Sequence, residues 1–106
     1  MFKGTTPTYA FTLPAEANIS QASHVYATFS DAEGRPVITK TGNALEIEDD
    51  TVGVFLTQKE TLILPAGTVK VQLNWLYQDG GTTKRACSKI KTIQAENNLL
   101  NKELPQ

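Results

Sequence analysis

The stretch that decides the fold is Leu64–Ile90, LPAGTVKVQLNWLYQDGGTTKRACSKI. Its centre alternates: Val69, Val71, Leu73, Trp75 and Tyr77 fall on one side, and Lys70, Gln72 and Asn74 on the other. That period of two marks a strand with one buried face. Asp79-Gly80 then signals a tight hairpin, because a two-residue turn of the favoured twist needs positive φ at its centre. The adjacent Gly81 can lengthen the loop. The returning run TKRACSKIKTI reads as one long strand from Thr83 to Ile93. It places Ala86, Ser88 and Ile90 inward and Arg85, Lys89 and Lys91 outward. The hairpin carries the largest apolar surface in the chain and its only tryptophan, so it is expected at the centre of a sheet with Trp75 in the core.

Working outward, the other segments repeat the pattern. In TYAFTLP, Tyr9, Phe11 and Leu13 share a face, and Pro7 and Pro14 bracket the run. Proline cannot donate into a ladder, so this reads as a guarded edge strand. HVYATFSD puts Val25, Ala27 and Phe29 on one face, and Gly34 allows the turn into the short strand PVITKT. ALEIED follows with Leu45 and Ile47 inward, then TVGVFLT with Val52, Val54 and Leu56 inward. Thr57 and Glu60 stand at capping-box spacing, which predicts a short helical turn near 57–61. About seven short strands separated by turns describe an all-β antiparallel sandwich. Residues 1–94 are expected to form this domain. Residues 95–106 form a tail in which Leu99, Leu100 and Leu104 line one side of a marginal helix or a disordered end.

The totals agree with one domain. The 106 residues are 40% hydrophobic and 20% charged, with a net charge of −1. Such a chain can bury a core without disulfides or metals and is too apolar for disorder. The balanced charge speaks against a dedicated nucleic-acid binder. The single cysteine, Cys87, excludes an internal disulfide and a cysteine-rich metal site, and suits a reducing cytoplasm. No stretch has the apolar length of a signal peptide or a membrane span, so no membrane partner is expected.

Little in the sequence carries chemistry, and neither an enzyme nor a cofactor is expected. His24 lies near Ser20 and Ser23 in sequence, but no nucleophile-elbow motif accompanies them, and a histidine at a strand start reads as a surface residue. Cys87 has Lys84, Arg85 and Lys89 nearby to lower its pKa, but only one histidine to act as base. Glu46, Glu48, Asp49 and Asp50 gather carboxylates without the spacing of a calcium loop, and no metal is expected there. Asn18-Ile19-Ser20 matches the glycosylation rule, a short match that occurs often by chance. The polar feature with a direction is the outward stripe Arg85, Lys89 and Lys91. Charges of this kind guard a strand against aggregation, and the same stripe can meet an acidic partner. With Leu99, Leu100 and Leu104 of the tail it forms the candidate partner-binding set.

Two further cues are the opening Lys3-Gly4-Thr5-Thr6-Pro7-Thr8 and the turn Leu56-Thr57-Gln58 followed by Thr61-Leu62. With Gly67, Val69, Gln72 and the Asp-Gly-Gly turn, they resemble small proteins encoded among the tail and baseplate genes of phages and prophages of Gram-positive bacteria. Their order is also similar to the immunoglobulin-like N-terminal domain of phage baseplate upper proteins. The resemblance covers residues 2 to about 93. It implies an immunoglobulin-like sandwich and a non-enzymatic structural or adaptor role in the virion. The implied partners are other virion proteins or a second copy of the chain, with synthesis in the bacterial host cytoplasm. The alternatives are a carbohydrate- or receptor-binding module using exposed aromatics such as Phe55 and Tyr26, and a small phage regulatory protein acting in the host cytoplasm.

Overall fold

The computed structural model describes residues 1–105. Among them the chain forms eight strands, β1 Thr8–Thr12, β2 His24–Ser30, β3 Pro36–Thr41, β4 Leu45–Glu48, β5 Thr51–Phe55, β6 Gly67–Asp79, β7 Thr82–Cys87 and β8 Lys91–Ala95. One α-helix, α1 Gln58–Ile63, joins β5 to β6, and three single 3-10 turns lie at Ala15–Ala17, Ile19–Gln21 and Gly42–Ala44. One antiparallel sheet has the order β1-β5-β4. The other has the order β3-β2-β6, with both β7 and β8 pairing along the far side of β6. This is the strand order of an immunoglobulin sandwich, B-E-D against C′-C-F-G. Among the described residues, no strand takes the A position beside β1.

The alternation read from the sequence sets the core. Val69, Val71, Leu73 and Trp75 of β6 are all buried, as are Val25, Ala27 and Phe29 of β2 opposite them. Phe11, Val52, Val54 and Leu56 meet them from the other sheet. Each such side chain of valine size or larger, fully buried, contributes about 1.5–3 kcal/mol. Ile47 departs from expectation. It shares a face with Val52 but remains 40% exposed, because β4 is a short strand at the sheet margin. The β6–β7 turn also sits one residue later than Asp79-Gly80. Asp79 pairs with Thr82, and Gly80 and Gly81, at φ 58° and 85°, form the two-residue turn.

α1 begins as its spacing predicts. Thr57 Oγ1 accepts from the Glu60 N–H at 3.2 Å, and Glu60 Oε1 accepts from the Thr57 N–H at 2.9 Å. Glu60 Oε1 also receives Lys40 Nζ from β3 at 2.6 Å, tying the helix to the larger sheet. On its other side α1 holds the N-terminal segment. Thr61, fully buried, accepts the Gly4 N–H at 2.9 Å and donates to the Thr5 carbonyl at 2.8 Å. Gly4 has φ 86°, and a Cβ there would stand 3.4 Å from Leu62. The two cues Lys3–Thr8 and Leu56–Leu62 are therefore the two halves of one contact, completed by the Leu56 N–H donating to the Pro7 carbonyl.

Candidate interaction surface

The returning half of the hairpin is not one strand. Asn74 stands opposite Cys87, but Val71 stands opposite Lys91. Gln72 and Leu73 of β6 therefore face three residues, Ser88, Lys89 and Ile90. This is a β-bulge, and one extra residue exchanges the inner and outer faces of everything beyond it. Ser88 satisfies the groups that the bulge releases. Its N–H donates to the Leu73 carbonyl at 2.9 Å, and its Oγ accepts the Leu73 N–H at 3.0 Å. Its carbonyl accepts Gln72 Nε2 at 2.8 Å.

The bulge corrects the expected faces. Ile90 is 56% exposed rather than inward. Ile93 and Ala95 turn inward instead, opposite Val69 and Gly67. Lys91, expected outward, shares the inner face with Val71 and lies over the Phe11 ring at 5.4 Å from its centroid. Arg85 stays outward, with Nε and Nη2 on Asn74 Oδ1 at 3.1 and 3.0 Å. Arg85, Lys89 and Lys91 thus form no stripe. They mark the outer face, the break and the inner face of one sheet edge.

That edge is open along much of its length. In β7 the bond from the Ser88 N–H to the Leu73 carbonyl sets the alternation. Thr83, Arg85 and Cys87 then point their backbone groups away from β6. In β8 the even residues point outward. Gln94 and Glu96 are taken by the N-terminal segment: the Met1 ammonium donates to the Gln94 carbonyl, the Glu96 N–H to the Met1 carbonyl and the Lys3 N–H to the Glu96 carbonyl. Phe2 bridges Glu96 in parallel there. Thr92, further up, is left facing outward. Across the sandwich β1 is also an edge, and the bonds of Pro7 and Leu13 to Leu56 and Asp50, which flank β5, leave Thr8, Ala10 and Thr12 facing out.

Between these two edges lies a cleft of about 460 Å³. Phe11, Leu13, Val71, Leu73 and Trp75 form its floor, and Glu16, Lys89 and Lys91 its rim. It is the mouth of the sandwich where an A strand would close the core. No local pattern in the sequence signals it, because Phe11 and Trp75 are brought to one cleft only by the way β1 sits across from β7 and β8.

The tail leucines lie apart from the cleft. Residues 97–105 form neither helix nor strand. Asn98 Nδ2 donates to the Lys3 carbonyl at 3.2 Å. Gln58 on α1 binds Leu104 twice, accepting its N–H at 2.8 Å and donating to its carbonyl at 3.3 Å. Leu99 is wholly exposed, and Leu100 and Leu104 are about half exposed at 49% and 48%. The structure therefore does not bring the six candidate residues together within one molecule.

The remaining candidates are scattered. His24 is exposed at the start of β2 opposite Leu76, and Ser23 Oγ donates to the Leu76 carbonyl rather than to the imidazole. Among the described residues no three His, Cys, Asp or Glu side chains are grouped to hold a metal, and no helix is long and apolar enough to cross a membrane. Tyr26 lies on the outer face of the β3-β2-β6 sheet in a shallow concavity with Thr28, Thr39 and Asn74. Phe55 lies opposite Thr8 on the outer face of the other sheet. The two aromatics therefore share no surface. No protein-family model, curated protein or solved structure matches the chain.

Proposed function

We propose that this chain is a non-enzymatic structural or adaptor module of a phage virion. In this reading it belongs to the tail or baseplate and docks through the β7–β8 edge and the cleft beside it. The observation that carries the docking role is the pairing of two open strand edges with an apolar cleft between them. An open edge offers unpaired N–H and C=O groups, and an added strand gains affinity from them while its alternate side chains enter the cleft. On the rim two cations, Lys89 and Lys91, outnumber the one carboxylate, Glu16, which discourages indiscriminate pairing and favours a partner with carboxylates. The virion context rests on the resemblance carried by Lys3–Thr8 and Leu56–Leu62.

The role is tested by mass spectrometry of particles purified from a host that makes the protein. The chain is expected to co-purify with the particles at constant stoichiometry through successive gradients. Abundant chain in the lysate with none in the particles refutes the virion assignment.

A further inference from the structure

We propose that the cleft is filled by the C-terminal tail of a second copy of this chain, added as a strand along the open β7–β8 edge. The inference rests on the docking role above and names the occupant. The chain carries both halves of the contact. One half is the apolar floor of Phe11, Leu13 and Trp75 beneath an unpaired edge. The other is a segment whose leucines, Leu99 above all, are exposed. A patch on one part of a molecule that complements a recess on another part joins copies of that molecule.

Backbone and charge both fit. The tail is already irregular chain, held by Gln58 at Leu104 and by Asn98 at Lys3. Laying it out as a strand exchanges these bonds, and three exposed ones among Asn97, Asn98, Leu100 and Asn101, for ladder bonds along the open edge. Its own molecule does not receive it, because Met1–Lys3 occupies the β8 edge at Gln94 and Glu96, between the start of the tail and the open part of the edge. In an extended strand Leu99 and Glu103 share a face, roughly 13 Å apart. With Leu99 as the one leucine in the cleft, Glu103 lies on the side of Lys89 and Lys91 on the rim, while Leu100, Lys102 and Leu104 point to the opposite side.

The test is the mass in solution of the purified full chain, by sedimentation equilibrium from micromolar to ~1 mM. The expected result is a concentration-dependent rise from one copy to two or more. Leu99→Asp, Lys91→Glu and Glu103→Lys should each raise the self-dissociation constant by about tenfold or more. The double variant Lys91→Glu with Glu103→Lys should restore it, and circular dichroism should show every variant folded. A single-copy mass over the whole range overturns the proposal. So does an assembly indifferent to Leu99→Asp, or charge reversals that the double variant does not rescue. A monomer that is nevertheless found in particles leaves the docking role standing and gives the cleft to another virion protein. A self-associating chain absent from particles refutes the virion assignment alone.

Discussion

Thr61→Val removes one hydroxyl and keeps the shape of the side chain. In the native protein that hydroxyl accepts the Gly4 N–H at 2.9 Å and donates to the Thr5 carbonyl at 2.8 Å, in a fully buried position. Valine leaves both groups without this partner. Two lost bonds at about 0.5–1.5 kcal/mol each, with a part-buried N–H left unpaired, sum to about 2–3 kcal/mol. The added methyl group returns up to about 0.8 kcal/mol, so a net loss of about 2 kcal/mol is expected. For a domain of this length that lowers the melting temperature by roughly 8–15 °C. Urea unfolding followed by the fluorescence of Trp75, the only tryptophan, gives the value directly. Thr61→Ser keeps the hydroxyl and should lose less. A Thr61→Val protein within ~0.5 kcal/mol of wild type would refute the claim that the opening segment is anchored through α1.

Trp75→Ala should cost about 3–5 kcal/mol, the usual range for deleting a large buried aromatic, and a loss below ~1 kcal/mol in urea unfolding followed by far-UV circular dichroism, since this variant lacks the tryptophan, would mean that this face is not core. Ile90→Lys should leave stability within ~0.5 kcal/mol, because Ile90 is exposed at the bulge, whereas Ile93→Lys should destabilise clearly; the reverse order would contradict the bulge. Burial pushes the Glu60 carboxyl up, but the hydrogen bonds from Lys40 and the Thr57 N–H together outweigh it and hold the group below its ordinary 4.5. Its contribution is therefore present above the unfolded-state value and lost as pH falls through the folded one. Glu60→Gln should accordingly flatten the decline in urea midpoint between about pH 6 and about pH 3, and an unchanged slope would show that this pair does not carry it.

Much of the fold was legible because its signals are local. The β6 alternation, the capping box at Thr57 and Glu60, and the burial of Trp75 all follow from spacing within a few residues. The bulge was not legible. In SKI the polar, charged and apolar residues continue an apparent period of two, so Ile90 reads as inward and Lys91 as outward. Only the pairing with β6 shows that three residues occupy the span of two. The candidate site suffered most from this, since its stripe of Arg85, Lys89 and Lys91 assumed an unbroken strand. The tail, read as a marginal helix or a disordered end, was left open for a different reason. Leu99, Leu100 and Leu104 suggest a helix face, but Gln58 captures the backbone of Leu104, a contact between residues 46 positions apart. The cleft, too, depends on how β1 sits across from β7 and β8, which no local pattern encodes.

The docking surface itself is tested most directly by lysine acylation footprinting of intact particles against the free protein. Lys89 and Lys91 stand on the cleft rim, and Lys59 is exposed on α1, away from it. The account predicts that Lys89 and Lys91 react much more slowly in the particle than in the free chain while Lys59 reacts equally in both. Equal reaction at Lys89 and Lys91 in the two states would contradict it.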